Sequence, residues 1–115
     1  MKLKSDPRHL KRTKLMQKLF TWEFSPDKKP PINNLDKIDK LIEKAAPGRP
    51  IGDINKIDLS ILRLAIFELI IETGVPPKVA IDEAVELGKE FGSDSSSSFI
   101  NGVLGKVVTI KKIKI

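Results

Sequence analysis

Hydrophobic residues recur every three to four positions along most of the chain, a spacing typical of amphipathic helices. A first helix is predicted over about residues 6–24, with Leu15, Leu19 and Trp22 on its apolar face and lysines opposite. A second helix, over about residues 34–46, has an apolar stripe and ends before a Pro-Gly-Arg-Pro turn.

Three further helices are predicted in the second half of the chain. The third, over about residues 55–73, is apolar on almost every side, as expected for a helix wrapped by others. A fourth follows over about residues 78–91, and a serine-rich turn at 93–98 opens the fifth. The tail, residues 108–115, fits either a fraying helix or a short strand. Since no alternating pattern is long enough for a sheet, the sequence predicts an all-α fold, a compact single-domain bundle of about five helices over residues 1–115.

Residue types at the helix ends and in the fifth helix support these predictions. Ser5 or Asp6 is expected to cap the first helix, because a side-chain oxygen can accept one of its free N–H groups. Pro7 suits the first helical turn, where an N–H has no partner in any case. Gly102 and Gly105 are expected to let the fifth helix approach a neighbour closely, since neither carries a Cβ.

Composition narrows the class of protein. With 115 residues, 40% of them hydrophobic, the chain can build one core. No apolar run approaches the roughly 20 residues that a membrane-spanning helix needs, and no signal-like apolar stretch follows the basic N-terminus. The absence of cysteine excludes disulfides and thiolate nucleophiles. We therefore expect a cytoplasmic protein that has no membrane partner.

Positive charge is concentrated at one end of the chain. The first 20 residues hold seven lysines and arginines and one acid, whereas the other 95 hold fourteen residues of each sign. The net charge of +6 therefore belongs to the N-terminal segment. Such a patch attracts polyanions and releases their counterions on binding. Because no helix-turn-helix or zinc module accompanies it, single-stranded RNA is favoured over duplex DNA.

Signals for catalysis are weak. His9 is the only histidine, which excludes a metal site built on two histidines, and no glycine-rich loop is spaced to hold nucleotide phosphates. Asp82, Glu83, Glu86 and Glu90 form an acidic cluster that is most simply a solvated helix face, with docking onto a basic protein as an open alternative. We expect no enzymatic activity, no cofactor and no metal.

The serine-rich turn has two interpretations. As structure, it is a flexible turn and helix cap followed by a core aromatic, Phe99. As function, its hydroxyls and free N–H groups would grip RNA beside Phe99. The residues alone favour the structural interpretation.

Several segments, all in the same order, resemble the NusB family of bacterial transcription antitermination factors. They are RHLKR at residues 8–12, LMQKLFTWE at 15–23, DLSILRLAIFEL at 58–69, VPPKVAIDEAVEL at 75–87 and SFINGVLGK at 98–106. The combination is specific, although no single segment is.

The resemblance implies a helical protein that binds the boxA element of nascent ribosomal RNA transcripts together with NusE, a small-subunit ribosomal protein. In the family, this complex joins RNA polymerase and other Nus factors and suppresses premature termination. The start of the central helix would face NusE, with Asp58 as the candidate contact because the ribosomal partner is basic. The implied RNA contacts lie in the first helix and at the start of the last: Arg8, His9, Lys11, Arg12, Ser95, Ser98 and Phe99.

The chain also departs from the family pattern. Its linking region, residues 25–53, is shorter than usual by roughly one helix, and Ser95 stands where an acid is frequent. Two alternatives remain open: a detached RNA-binding accessory module for an enzyme that modifies ribosomal RNA, and a protein-interaction adaptor whose basic helix binds an acidic protein. The RNA hypothesis requires accessible cations, so arginines held in internal ion pairs with no exposed cationic strip would contradict it.

Overall fold

The structure, a computed structural model, describes residues 6–115. Over that range it consists of helices and connecting turns, with no strand. The helices are α1 (Pro7–Glu23), α2 (Leu35–Ala45), α3 (Lys56–Ile66), α4 (Pro77–Phe91) and α5 (Ser96–Lys111). A 3₁₀ helix, Ile51–Asp53, precedes α3, and a π-helical turn, Phe67–Ile71, continues it. The predicted all-α fold with about five helices is confirmed.

The ends of the helices agree with most of the sequence predictions. Asp6 caps α1 by accepting the backbone N–H of Arg8 at 2.8 Å, and Pro7 occupies the first turn. Ser5, the other candidate cap, lies outside the described residues. The tail continues α5 to Lys111 and forms no strand within the described range.

Helix α3 lies at the centre of the bundle and packs against the other four helices. Every residue from 58 to 66 is buried, as its all-round apolar pattern predicts. The described chain has a radius of gyration of 13.0 Å and extents of 34 × 32 × 29 Å. These values match the expectation of about 13 Å for a compact fold of this length.

Close approach of two helices occurs at a different glycine from those predicted. Gly102 and Gly105 face open space, so the expectation that they allow helix packing was wrong. Gly88 of α4 is buried against α5 instead, where a Cβ would lie 2.9 Å from Cδ1 of Ile100 and 3.4 Å from the backbone of Ser97. Gly88 therefore packs directly against α5, with its missing side chain leaving room for Ile100.

Candidate nucleic-acid interface

A line of exposed cations runs along α1. The side chain of Arg8 is 82% exposed, and its single ion pair, with Asp6, is long at 3.5 Å. Lys11, Lys14 and Lys18 are also exposed, and within residues 6–115 none of them has a carboxylate within ion-pair distance. Their spacing of three and four residues places them on one face of the helix. We call Arg8, Lys11, Lys14 and Lys18 the cationic ridge.

Arg12 does not belong to that ridge. Its Nε and Nη2 donate to both carboxylate oxygens of Glu68 at 2.9–3.2 Å, and its Nη1 donates to Glu83 at 2.9 Å. Only 11% of its side chain is exposed. The hydrogen bonds to Glu68 raise the pKa of Arg12 above its ordinary value, although burial opposes them. The implied RNA contact at Arg12 stays a prediction, and this geometry favours a structural role.

His9 is likewise turned inward. It is 5% exposed, and its Nε2 lies 2.9 Å from Oε2 of Glu90 on α4. Its Nδ1 is buried without a hydrogen-bond partner among the residues described. In this conformation neither ring nitrogen is presented to a ligand, so a role for His9 in RNA binding stays a prediction.

The acidic cluster on α4 explains where these two side chains find their partners. Glu83 is 2% exposed and binds Arg12, while Glu90 binds His9. Asp82 and Glu86 face solvent and, within the described residues, form no ion pair with α1. Describing the whole cluster as a solvated helix face was therefore wrong for Glu83.

The serine-rich turn presents part of the second predicted contact region. Ser95 and Ser98 are exposed, whereas Phe99 is half-buried. Ser95, at the N-cap position of α5, makes no side-chain capping hydrogen bond. The Oγ of Ser96 accepts the backbone N–H of Ser93 at 2.9 Å and closes the turn.

Arg49 is a neighbour of this turn that the sequence analysis missed. Its guanidinium carbon lies 4.6 Å from the centroid of the Phe99 ring, which is within cation–π range. Sequence reasoning treated the Pro-Gly-Arg-Pro segment only as a helix terminator. The ring of Phe99 therefore has one face covered by an exposed arginine that can itself contact phosphates or bases.

The candidate partner contact, Asp58, is 5% exposed at the start of α3. Its backbone N–H donates to Oδ1 of Asn55 at 3.3 Å, and its own Oδ1 has no hydrogen-bond partner in the described part of the chain. A buried carboxylate is not presented to a rigidly docked partner. Its role in partner binding stays a prediction.

Arg63 is a second internal arginine. It donates two hydrogen bonds of 2.9 Å to Asp39 and one of 2.7 Å to Glu23, which joins α1, α2 and α3. Burial alone would lower the pKa of Arg63, but the hydrogen bonds to Asp39 and Glu23 outweigh it and raise the pKa. The signal for this role was present in the sequence, because Arg63 is one of the few polar residues that interrupt the apolar pattern of this helix.

The described residues also bear on the expectations about membranes and metals. None of the helices built from residues 6–115 is both long and apolar enough to cross a membrane. Over the same residues, no group of three or more histidine, aspartate or glutamate side chains could hold a metal ion.

The fold and its surface define an all-helical bundle with a buried central helix and a cationic first helix. The model of the NusB family matches residues 29–109, so the chain belongs to this family and the predicted resemblance is confirmed.

Curated relatives and a solved structure agree with that assignment. Transcription antitermination protein NusB of Chloroflexus aggregans is 54% identical over 63% of this chain and 49% of its own length. The NusB protein of Acetivibrio thermocellus is 50% identical over 70% of this chain and 55% of its own length. The chain thus spans about half the length of the curated relatives it matches. The structure of T. maritima NusB superposes with a TM-score of 0.81 at 28% identity, covering 90% of this chain and 92% of that one.

Proposed function

We propose that this protein is an RNA-binding transcription antitermination factor that binds boxA-type single-stranded RNA together with the ribosomal protein NusE and supports ribosomal RNA transcription. The observation that carries the proposal is the N-terminal part of the cationic ridge, Arg8 and Lys11: Arg8 is 82% exposed, and exposed Lys11 has no carboxylate partner in the described residues. Membership of the NusB family and the names of the curated relatives support it. RNA polymerase and other Nus factors would join through the resulting complex.

The proposed mechanism separates strength from selectivity. Arg8 and Lys11 capture phosphates, which supplies affinity without reading sequence. At the start of α5, Ser95 and Ser98 offer hydroxyl groups, and the stacked pair of Arg49 and Phe99 offers a planar cation for a base or phosphate. RNA binding then needs no participation by Arg12, whose guanidinium is held inside the bundle by Glu68 and Glu83.

The direct test is RNA binding measured by fluorescence anisotropy at several salt concentrations. The probe is a boxA-type RNA of about 12 nucleotides, within the range of known single-strand sites. With Arg8→Gln and Lys11→Gln combined, two phosphate contacts are lost, so the slope of log affinity against log salt should flatten by about 1.4. A control variant with the same charge change, Lys40→Gln with Lys44→Gln on α2, should keep the slope. Equal slopes in all three proteins would contradict the proposal.

Partner binding needs its own experiment. We propose that the start of α3 forms part of the NusE contact, with Asp58 shaping this surface from within. Asp58→Asn should weaken binding of the ribosomal protein and leave the salt slope for RNA unchanged. Asp82→Asn, an exposed acid on α4, is the control. Unchanged binding of the ribosomal protein to a folded Asp58→Asn variant would remove Asp58 from the interface.

A further inference from the structure

A second basic surface lies at the other end of α1, beside the loop that follows it. Lys14 and Lys18 of α1 and Lys28 and Lys29 of the loop line one groove, with Trp22 between them in the chain. The indole N–H of Trp22 donates to the carbonyl oxygen of Lys28 at 2.7 Å, which ties the loop to the helix. We call this surface the lysine groove.

The groove has a uniform charge. Its remaining lining residues, Gln17, Thr21 and Ser25, are neutral, and no acid of residues 6–115 lines it. Within the described chain, none of its four lysines has a carboxylate within ion-pair distance. Like charges one helical turn apart repel each other. An anionic ligand would remove that repulsion.

The different positions of the arginines and the lysines support a ligand-binding role for the lysines of the groove. Arg12 and Arg63 are buried and use their guanidinium donors on glutamates and an aspartate within the bundle. The exposed cations of the groove are all lysines, which bind phosphate as compact, strongly hydrated point charges. They suit a ligand that presents repeated negative charge and demands no fixed fork geometry.

We propose that the lysine groove binds the sugar–phosphate backbone of single-stranded RNA, as a second site for the strand held at the N-terminal end of α1. Lys11, Lys14 and Lys18 form a continuous line, so one strand can pass from the first site into the groove. Trp22 is half-buried and its N–H is already used, so the groove contacts backbone and reads no base sequence. The inference rests on the proposed function, because it extends the same RNA footprint.

The test compares two variants with the same loss of charge. The groove variant carries Lys14→Gln, Lys18→Gln, Lys28→Gln and Lys29→Gln. The control alters four lysines around a different groove, between α2 and α5, which also contains an acid. It carries Lys37→Gln, Lys40→Gln, Lys44→Gln and Lys111→Gln.

Each protein is titrated with the short boxA-type RNA and with the same RNA extended to about 30 nucleotides by uridines, long enough to cover both sites. The extended RNA should bind wild type more tightly than the short one. The groove variant should lose that gain, and its salt slope for the extended RNA should flatten by about 2 to 3. Its affinity for the short RNA should stay within about twofold of wild type. The control variant should keep both the gain and the slope.

Other outcomes separate the two proposals. If the groove variant still binds the extended RNA more tightly than the short RNA, this inference is overturned. The proposed function would still stand in that case, provided that binding of the short RNA depends on Arg8 and Lys11. Equal losses in both quadruple variants would point to net charge and overturn the groove. Wild type that binds neither RNA would overturn both proposals. If wild type binds poly-glutamate and the groove variant does not, while both bind the extended RNA equally well, the groove binds an acidic protein and not RNA.

Discussion

Replacement of Arg12 by methionine tests most sharply whether Arg12 stabilises the fold or binds RNA like the exposed cations of α1. Methionine keeps much of the side-chain length and removes the charge and all donors. The change would leave Glu68, whose side chain is only 13% exposed, without its three hydrogen bonds from Arg12. The fourth hydrogen bond of Arg12, to Glu83, would also be lost, and the side chain of Glu83 is 2% exposed. We expect a loss of stability that is independent of RNA.

The magnitude follows from the burial of these groups. Removing one partner of a buried ion pair costs about 3–5 kcal/mol, because a charge stays behind in a poorly solvated place. Arg12 and Glu68 keep partial contact with water, so the lower end, about 3 kcal/mol, applies. For a chain of this length the entropy of unfolding corresponds to about 0.24 kcal/mol per kelvin, so the melting temperature should fall by about 12 °C.

The assay is thermal unfolding followed by circular dichroism, together with RNA anisotropy well below the transition. Arg8→Met is the matched control, since the same substitution falls on the same helix at a side chain that is 82% exposed. It should melt within about 2 °C of wild type, because substitutions at exposed sites change stability little, while weakening RNA binding. A variant Arg12→Met that melts like wild type and loses RNA binding as Arg8→Met does would refute the structural role.

Two further predictions concern packing and pH. Gly105→Ala, at an open helical site, should stabilise the bundle by about 0.5–1 kcal/mol in denaturant unfolding. Gly88→Ala should fall at least about 1 kcal/mol below it, because the added Cβ would lie 2.9 Å from Cδ1 of Ile100, which must shift within the core. Equal effects of the two alanines would contradict the α4–α5 contact. The hydrogen bond from the backbone N–H of Arg8 lowers the pKa of Asp6 from its ordinary 3.8. The charged cap thus contributes stability above that value and loses it as the pH falls through the lowered pKa. Asp6→Asn, which keeps an acceptor, should therefore melt below wild type near neutral pH, and the difference should close in acid; a difference that does not shrink as the pH falls below 3.8 would contradict this cause.

Hydrophobic spacing was sufficient to predict the five helices and the buried position of α3. Periodicity is a local property, since residues three and four apart share a face of the same helix. The cap at Asp6 and the proline at the start of α1 follow from equally local chemistry. The close contact at Gly88 does not, because Gly102 and Gly105 have the same residue type and spacing cannot show which glycine faces another helix.

The sequence by itself determined that one end of the chain carries the excess positive charge, because charge is a sum over residues and needs no coordinates. Only the tertiary structure decided which cations stay available to a ligand. Arg12 meets Glu68 and Glu83 across 56 and 71 residues of chain, and His9 meets Glu90 across 81. Such pairings depend on how α1 packs against the π-helical turn and α4. Among the described cations of the N-terminal segment, Arg8, Lys11, Lys14 and Lys18 therefore stay exposed, whereas Arg12 does not.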